Sequence, residues 1–222
     1  RIRTGGGMQG ILYASPISTC SRRVMCVLQE VGADWALKPI DLGKGQQKSA
    51  EMLAIQPYGK VPAWHGADGF MLFESRAIMQ YAAQGSDLVP VSNTERAIMD
   101  QWISVEYSYF APDFLQIYYM KVLKKVSLDE MKIQAHRTAL EKTLDLLEGR
   151  LTSSGLPYLA CAAFTLADLT YMCYFAQFGA CELLDTLDDR PALAAWWARC
   201  AGRPSWEYIM ANRMCEERIA KE

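Results

Sequence analysis

Two short segments carry the residues whose types and spacing could do chemistry: Tyr58-Gly59-Lys60-Val61-Pro62 and Phe73-Glu74-Ser75-Arg76. A proline at the head of a strand suits a cis X-Pro turn, and that geometry withholds the Val61 amide and carbonyl from a sheet, leaving them for an extended peptide ligand. The second segment turns from a strand, Met71 to Phe73, into a helix carrying Ile78, Tyr81 and Ala82. There the Ser75 hydroxyl and the first helical amides face one point, an arrangement that attracts a carboxylate.

The elements that must position these groups follow from hydrophobic periodicity. Between Gly10 and Ala83, short apolar runs alternate with helical patterns. A strand at Ile11 to Ala14 leads to a helix carrying Val24, Val27, Leu28 and Val31, which matches the i, i+3, i+4, i+7 template. A strand at Trp35 to Ile40, a short helix near Ser49 to Ala54 and strands at Val61 to Trp64 and Met71 to Phe73 give the order β-α-β-α-β-β-α. The first three elements imply a parallel pair with a right-handed crossover, and Gly66 to Gly69 reads as the turn of an antiparallel hairpin.

From Gln84 to Asn93 the residues Gly85, Ser86, Asp87 and Pro90 mark a linker, after which only helical patterns occur. Leu140, Leu144, Leu147 and Leu151 form one stripe and Leu193, Trp196, Trp197 and Cys200 another. Pro191 suits a first helical turn, and Gly202 with Pro204 marks its stop. In Phe164-Thr165-Leu166-Ala167-Asp168-Leu169, Thr165 and Asp168 have capping-box spacing and Phe164 with Leu169 forms a hydrophobic staple, a signature of a buried helix start.

Composition restricts the function classes. The 222 residues are 51% hydrophobic and 22% charged, as in an ordered protein, and the net charge of -2 supplies no electrostatic footprint for nucleic acid. No apolar run is long enough to cross a bilayer. Residues 1–7 are polar and glycine-rich and read as a vector-derived remnant, with Met8 as the natural start. The seven cysteines, at 20, 26, 161, 173, 181, 200 and 215, form no CxxC pair, which points to a reducing compartment, and Cys173 and Cys200 read as core residues. His65 and His136 sit in no ligand-like cluster, which argues against a zinc site or a His-dependent triad.

A small α/β domain with these segments, followed by a linker and a helical domain with this capping box, resembles the cytosolic glutathione transferases over nearly the whole chain. The resemblance implies a thioredoxin-like N-terminal domain over 8–84, a linker over 85–93 and an all-α helical bundle over 94–222. Phe73-Glu74-Ser75-Arg76-Ala77-Ile78, Gln56-Pro57-Tyr58-Gly59-Lys60-Val61-Pro62, and Trp102, Glu106 and Pro112 look most like the phi class of plants and algae. Ser18-Thr19-Cys20-Ser21-Arg22-Arg23-Val24 is also similar to the zeta class, whose members isomerise maleyl compounds.

The resemblance further implies that Ser18 donates its hydroxyl to the glutathione sulfur. Gln47, Lys48 and Lys60 would meet the glycine carboxylate and nearby backbone, Val61 the cysteinyl main chain, and Glu74 and Ser75 the γ-glutamyl end. Gln47 stands where phi proteins often carry His and Lys60 where they often carry Gln; both keep hydrogen-bonding capacity. These residue types fit glutathione's two carboxylates, one ammonium and one sulfur. Glutathione would be a co-substrate, with no metal or other cofactor, and the protein a cytoplasmic homodimer without nucleic-acid or membrane partners.

A second substrate, a small apolar electrophile, would occupy a pocket formed from Ile17, Phe110, Phe114, Tyr118 and Tyr119, residues that as readily pack a core. Ser15-Pro16-Ile17-Ser18 has the spacing of a CPxC site with both sulfurs replaced by oxygen, which excludes disulfide exchange there. Three other readings stay open: thiol transfer through Cys20, a zeta-like isomerase, and a low-turnover binding or scaffold protein in which Ser18 only caps its helix.

Overall fold

The computed structural model describes residues 8–211, in two compact units: residues 8–86 together with 202–211, and residues 87–201. Residues 1–7, read above as a remnant, Cys215 and the end of the expected helical domain lie outside the described residues.

The first unit holds β1 (Gln9–Ala14), α1 (Thr19–Glu30), β2 (Asp34–Pro39), α2 (Ala50–Ile55), β3 (Ala63–Gly66), β4 (Met71–Phe73) and α3 (Ser75–Ala83). The sheet order is β2-β1-β3-β4, with β1 parallel to β2 and β3 antiparallel to both β1 and β4. β3 starts at Ala63 rather than at the expected Val61, because the Val61-Pro62 bond is cis and proline has no N–H for a ladder. Asp68 closes the β3–β4 turn by accepting the Phe70 N–H through Oδ1 at 3.0 Å.

Val24, Met25, Cys26, Val27 and Leu28 of α1 are all fully buried, more than a one-sided amphipathic helix would cover. The reason is α9 (Pro204–Met210), which packs on α1 in the same unit, as does α3. Arg203 donates through Nε and Nη2 to the two carboxylate oxygens of Glu30, at 2.7 and 2.8 Å, and the Ser205 hydroxyl donates to the same carboxylate. Of the helical domain expected over 94–222, the described residues 202–211 group with the first unit, and Pro204 starts a new helix as well as following a stop.

The second unit contains α4 (Asn93–Val105), α5 (Ala111–Lys121), α6 (Glu130–Ser154), α7 (Leu166–Phe175) and α8 (Pro191–Ala201). A π-helical turn, Glu106–Phe110, joins α4 to α5. Pro112 lacks the N–H that would continue the i to i−4 ladder, and the helix widens over the turn before it. The leucine stripe of α6 is buried, and so are Leu193, Trp196 and Cys200 of α8. The capping box of α7 is present: Asp168 Oδ2 accepts the Thr165 N–H at 2.9 Å and the Thr165 hydroxyl at 3.0 Å. Asp168 Oδ1 also accepts the Leu159 N–H and Trp196 Nε1–H, each at 2.9 Å, so one carboxylate ties α7 to α8 and to the preceding loop.

Candidate active site

The turn from β1 to α1 presents Ser18 as the N-cap residue, with extended backbone at φ −76° and ψ 127°. Its Oγ accepts the Ser21 N–H at 3.3 Å, which satisfies one of the orphan amides of the helix start. Among the described residues the hydroxyl hydrogen has no acceptor. The turn is braced by Arg22 Nε donating to the Pro16 carbonyl at 2.7 Å and by Ser15 N–H donating to Ser21 Oγ at 3.3 Å. Ile17 projects beside it, 65% exposed, and Cys20 is half-buried in the first turn of α1.

The loop between β2 and α2 is organised by its own side chains. Asp41 Oδ1 accepts the N–H groups of Gly43 and Lys44, and Gln46 Oε1 accepts that of Asp41 at 2.8 Å. This fixes Gln47 and Lys48 against the segment before β3, where Lys48 Nζ donates to the Tyr58 carbonyl at 2.9 Å. Gly59, at φ +57°, permits the approach: a Cβ there would stand 2.6 Å from Lys48 Cδ and 2.9 Å from the Gln47 carbonyl. Gln56 is buried and closes the turn by accepting the Tyr58 N–H at 2.6 Å. Gln47 Oε1 is buried with no donor among the described residues, and Lys60 is exposed.

Val61 packs against the cluster of Tyr13, Ile40, Met52 and Ala63. No backbone hydrogen bond of the described residues engages its amide or carbonyl. An extended ligand laid along it would meet one donor and one acceptor.

Glu74 is the N-cap residue of α3 at φ 71° and ψ 114°, a left-handed backbone that costs a non-glycine residue about 1–3 kcal/mol and is characteristic of functional sites. Its side chain is exposed and makes no cap bond, while Ser75 begins the helix at 5% exposure. The first intrahelical bond runs from Ile78 N–H to the Glu74 carbonyl. Arg23, fully buried in the helix that Ser18 caps, donates through Nη1 to Ser75 Oγ at 3.0 Å. The first unit thus carries a hydroxyl donor, an open peptide edge, two lysines and an acid–hydroxyl pair on a helix start.

The remaining expected residues lie in the second unit. Phe110 and Phe114 have no exposed surface and pack with Tyr171, Tyr174 and Phe178 at ring separations of 5.0–6.4 Å. They belong to the aromatic core and offer a ligand no face, which corrects their placement in a substrate pocket. Tyr118 is 7% exposed and stacks on Phe114, and Tyr119 is half-buried under Lys125. Among the described residues no three of the types His, Cys, Asp and Glu come together as a metal-holding group. Sequence reasoning overlooked Arg23, Gln56 and Asp41 as site residues; Asp41 and Gln56 organise turns through local bonds, and Arg23 is identified only by its contact with Ser75.

Comparison with known proteins bears on what this arrangement is for. Residues 8–84 match the glutathione S-transferase N-terminal domain and residues 130–199 the C-terminal domain. Glutathione S-transferase F10 of Arabidopsis thaliana is 34% identical over 210 residues, covering 90% of this chain and 96% of its relative. The chain belongs to the glutathione S-transferase family. Glutathione transferase F7 of Populus trichocarpa is 33% identical with a TM-score of 0.84, over 90% of this chain and 97% of that one. Glutathione S-transferase I from maize, solved in complex with an atrazine glutathione conjugate, is 31% identical with a TM-score of 0.84, over 91% and 97% of the two chains. The transferase is most like the phi type, and the zeta-like alternative is not favoured. Its fold is that of this family, a thioredoxin-like sheet domain followed by a helical domain.

Proposed function

We propose that this glutathione transferase activates glutathione as a thiolate at Ser18 and conjugates it to small apolar electrophiles. The observation that carries the reading is the Ser18 hydroxyl: its oxygen caps α1 by accepting from Ser21, and its hydrogen has no acceptor among the described residues. A hydroxyl polarised in this way is a directed donor. Gln47, Lys48 and Lys60 would hold the glycyl end, Val61 the cysteinyl backbone, and Glu74 with Ser75 the γ-glutamyl end. The buried, undonated Gln47 Oε1 supports a ligand N–H at that point.

The energetics are adequate and instructive. A thiol of pKa about 8.5 is about 3% thiolate at pH 7, and lowering it by about two units requires about 2.7 kcal/mol. A hydroxyl bond to the anion supplies roughly 1.5–3 kcal/mol and the helix start roughly 0.3–1 kcal/mol. The thiolate fraction rises about 25-fold, but a Brønsted slope near 0.45 returns roughly 8-fold of that. Activation alone therefore contributes about threefold, and holding the thiolate against the electrophile must supply the rest.

Ile17, exposed beside Ser18, is the first-unit residue placed to meet the electrophile. Glutathione is a co-substrate in this scheme and no other cofactor is invoked. Free thiols at Cys20, Cys26, Cys161, Cys173, Cys181 and Cys200 support a reducing, cytoplasmic setting, and the family resemblance supports a homodimer with a detoxifying role.

The test is the pH profile of kcat/KM for conjugation of glutathione to an aryl halide, for the wild type and Ser18→Ala. The expected result is a profile displaced upward by about 1–2 pH units in the variant, with glutathione binding retained. A profile that does not move refutes the role of Ser18, and loss of turnover in Cys20→Ala alone would transfer the chemistry to Cys20.

A further inference from the structure

We infer that Arg23 is a positioning residue that commits the Ser75 hydroxyl to donate, so that the transferase recognises thiols with a free γ-glutamyl α-carboxylate and rejects the corresponding amide. The inference rests on the glutathione reading above.

A guanidinium has five N–H donors and no acceptor, so it can approach Ser75 Oγ only by taking an oxygen lone pair. It does so from a fully buried position, through Nη1 at 3.0 Å, in a side chain rooted in α1. The direction of that bond fixes the sense of the hydroxyl: its hydrogen points elsewhere and is polarised by a cationic neighbour. Ser75 is also the first residue of α3, where N–H groups lie ahead of the first intrahelical bond to Glu74. Around Ser75 the protein therefore presents donors, and a carboxylate is the ligand group that only accepts.

Glu74 completes the discrimination. Its exposed carboxylate, held beside Ser75 by a left-handed backbone, is an acceptor for the α-ammonium of the same amino-acid head. The pair reads a zwitterion by placing donors at one end and an acceptor at the other. A carboxamide has one accepting oxygen where the carboxylate has two, so its NH2 must face either the Ser75 hydroxyl hydrogen or an N–H of the helix start, and two donors cannot satisfy each other. With Arg23 removed, the hydroxyl is released to turn and accept, so the preference should relax.

The experiment is calorimetric titration with glutathione and with glutathione amidated at the γ-glutamyl α-carboxyl. The proteins are the wild type, Arg23→Gln, Arg23→Lys, Ser75→Ala and Arg23→Gln/Ser75→Ala. The wild type is expected to prefer the carboxylate by about tenfold or more, and Arg23→Gln to narrow that preference to about threefold or less. In the Ser75→Ala background Arg23→Gln should add little, because its action passes through Ser75. In steady-state conjugation Arg23→Gln should raise KM for glutathione and leave kcat within about threefold.

An undiminished preference in Arg23→Gln overturns the inference, as does an equal loss for both ligands or an equal effect with and without Ser75. If Arg23→Gln does not fold, Arg23→Lys and Ser75→Ala decide. Lysine keeps the charge without the planar fork and should weaken the preference in part, whereas a Ser75→Ala protein that still rejects the amide refutes the role. Wild-type protein that binds no glutathione removes the glutathione reading itself; wild-type binding with an unaltered preference in the variants removes only this inference.

Discussion

Replacing Asp168 tests how the helical unit is held together. Its two oxygens accept from the Leu159 N–H, the Trp196 indole N–H, the Thr165 N–H and the Thr165 hydroxyl, all at 2.9–3.0 Å in a site with no solvent exposure. Asp168→Ala strands the three N–H donors, at roughly 1–3 kcal/mol each. The vacated carboxylate leaves room for about one water, so the expected loss is about 4 kcal/mol, a large share of an ordinary stability of about 5–15 kcal/mol. Asp168→Asn keeps one oxygen for Leu159 and Trp196 and turns its NH2 toward the Thr165 N–H, stranding one donor at about 2 kcal/mol. Burial pushes the Asp168 carboxyl up, and the neutral amide escapes that desolvation, which keeps asparagine at the mild end. Urea unfolding followed by tryptophan fluorescence, with m about 2 kcal/mol/M, should shift the midpoint about 2 M for alanine and about 1 M for asparagine. Equal shifts, or shifts below about 0.5 M in both, would refute the accounting by donors.

Three further outcomes are expected. Gly59→Ala places a Cβ 2.6 Å from Lys48 Cδ at a left-handed φ of +57° and should raise KM for glutathione several-fold while kcat changes little; an unaltered KM would detach Lys48 from binding. The Glu30 carboxyl is pushed up by burial but pulled further down by Arg203 and Ser205, so its folded value lies below the ordinary one. A depressed carboxylate gives stability that is present above its unfolded value and lost as pH falls through the folded one, so urea midpoints of wild type and Glu30→Gln should differ near about pH 6 and converge progressively as the pH falls below the ordinary glutamate value of about 4.3. Phe114→Leu should cost about 1–2 kcal/mol in urea unfolding without changing KM for an aryl halide; a KM change with unaltered stability would return Phe114 to the electrophile site.

Much of the first unit was legible because its signals are local. Alternating runs around Leu12 and Trp64, the stripe of α1, and the proline and glycines of the 56–62 segment each specify their conformation over a few residues. The strand start at Ala63 was placed at Val61 although the cis turn was expected to withhold the Val61 amide and carbonyl from the sheet, because the apolar run through Val61 masks the boundary. Of the candidate site residues, Ser75 could be nominated from helix-start chemistry, whereas the roles of Ser18 and Glu74 came from the family resemblance. Arg23 could not, since what identifies it is contact with Ser75 across 52 positions of chain. Phe110 and Phe114 show the opposite failure: aromatic residues at helical spacing read alike whether they face a ligand or a core, and only the surrounding Tyr171, Tyr174 and Phe178 decide.

The return of α9 to α1 has a consequence for the order in which this chain can assemble. The Arg203–Glu30 clamp joins residues 173 positions apart, and closing a flexible loop of that length costs about 4–5 kcal/mol of chain entropy. Residues 87–201, which lie between the clamp's ends, form a unit of their own. Once that unit has condensed, it shortens the loop and most of the entropy is already spent. Residues 8–86 are synthesised before the helical unit and α9 after it, so α1 meets its α9 partner only once the whole helical unit has been made.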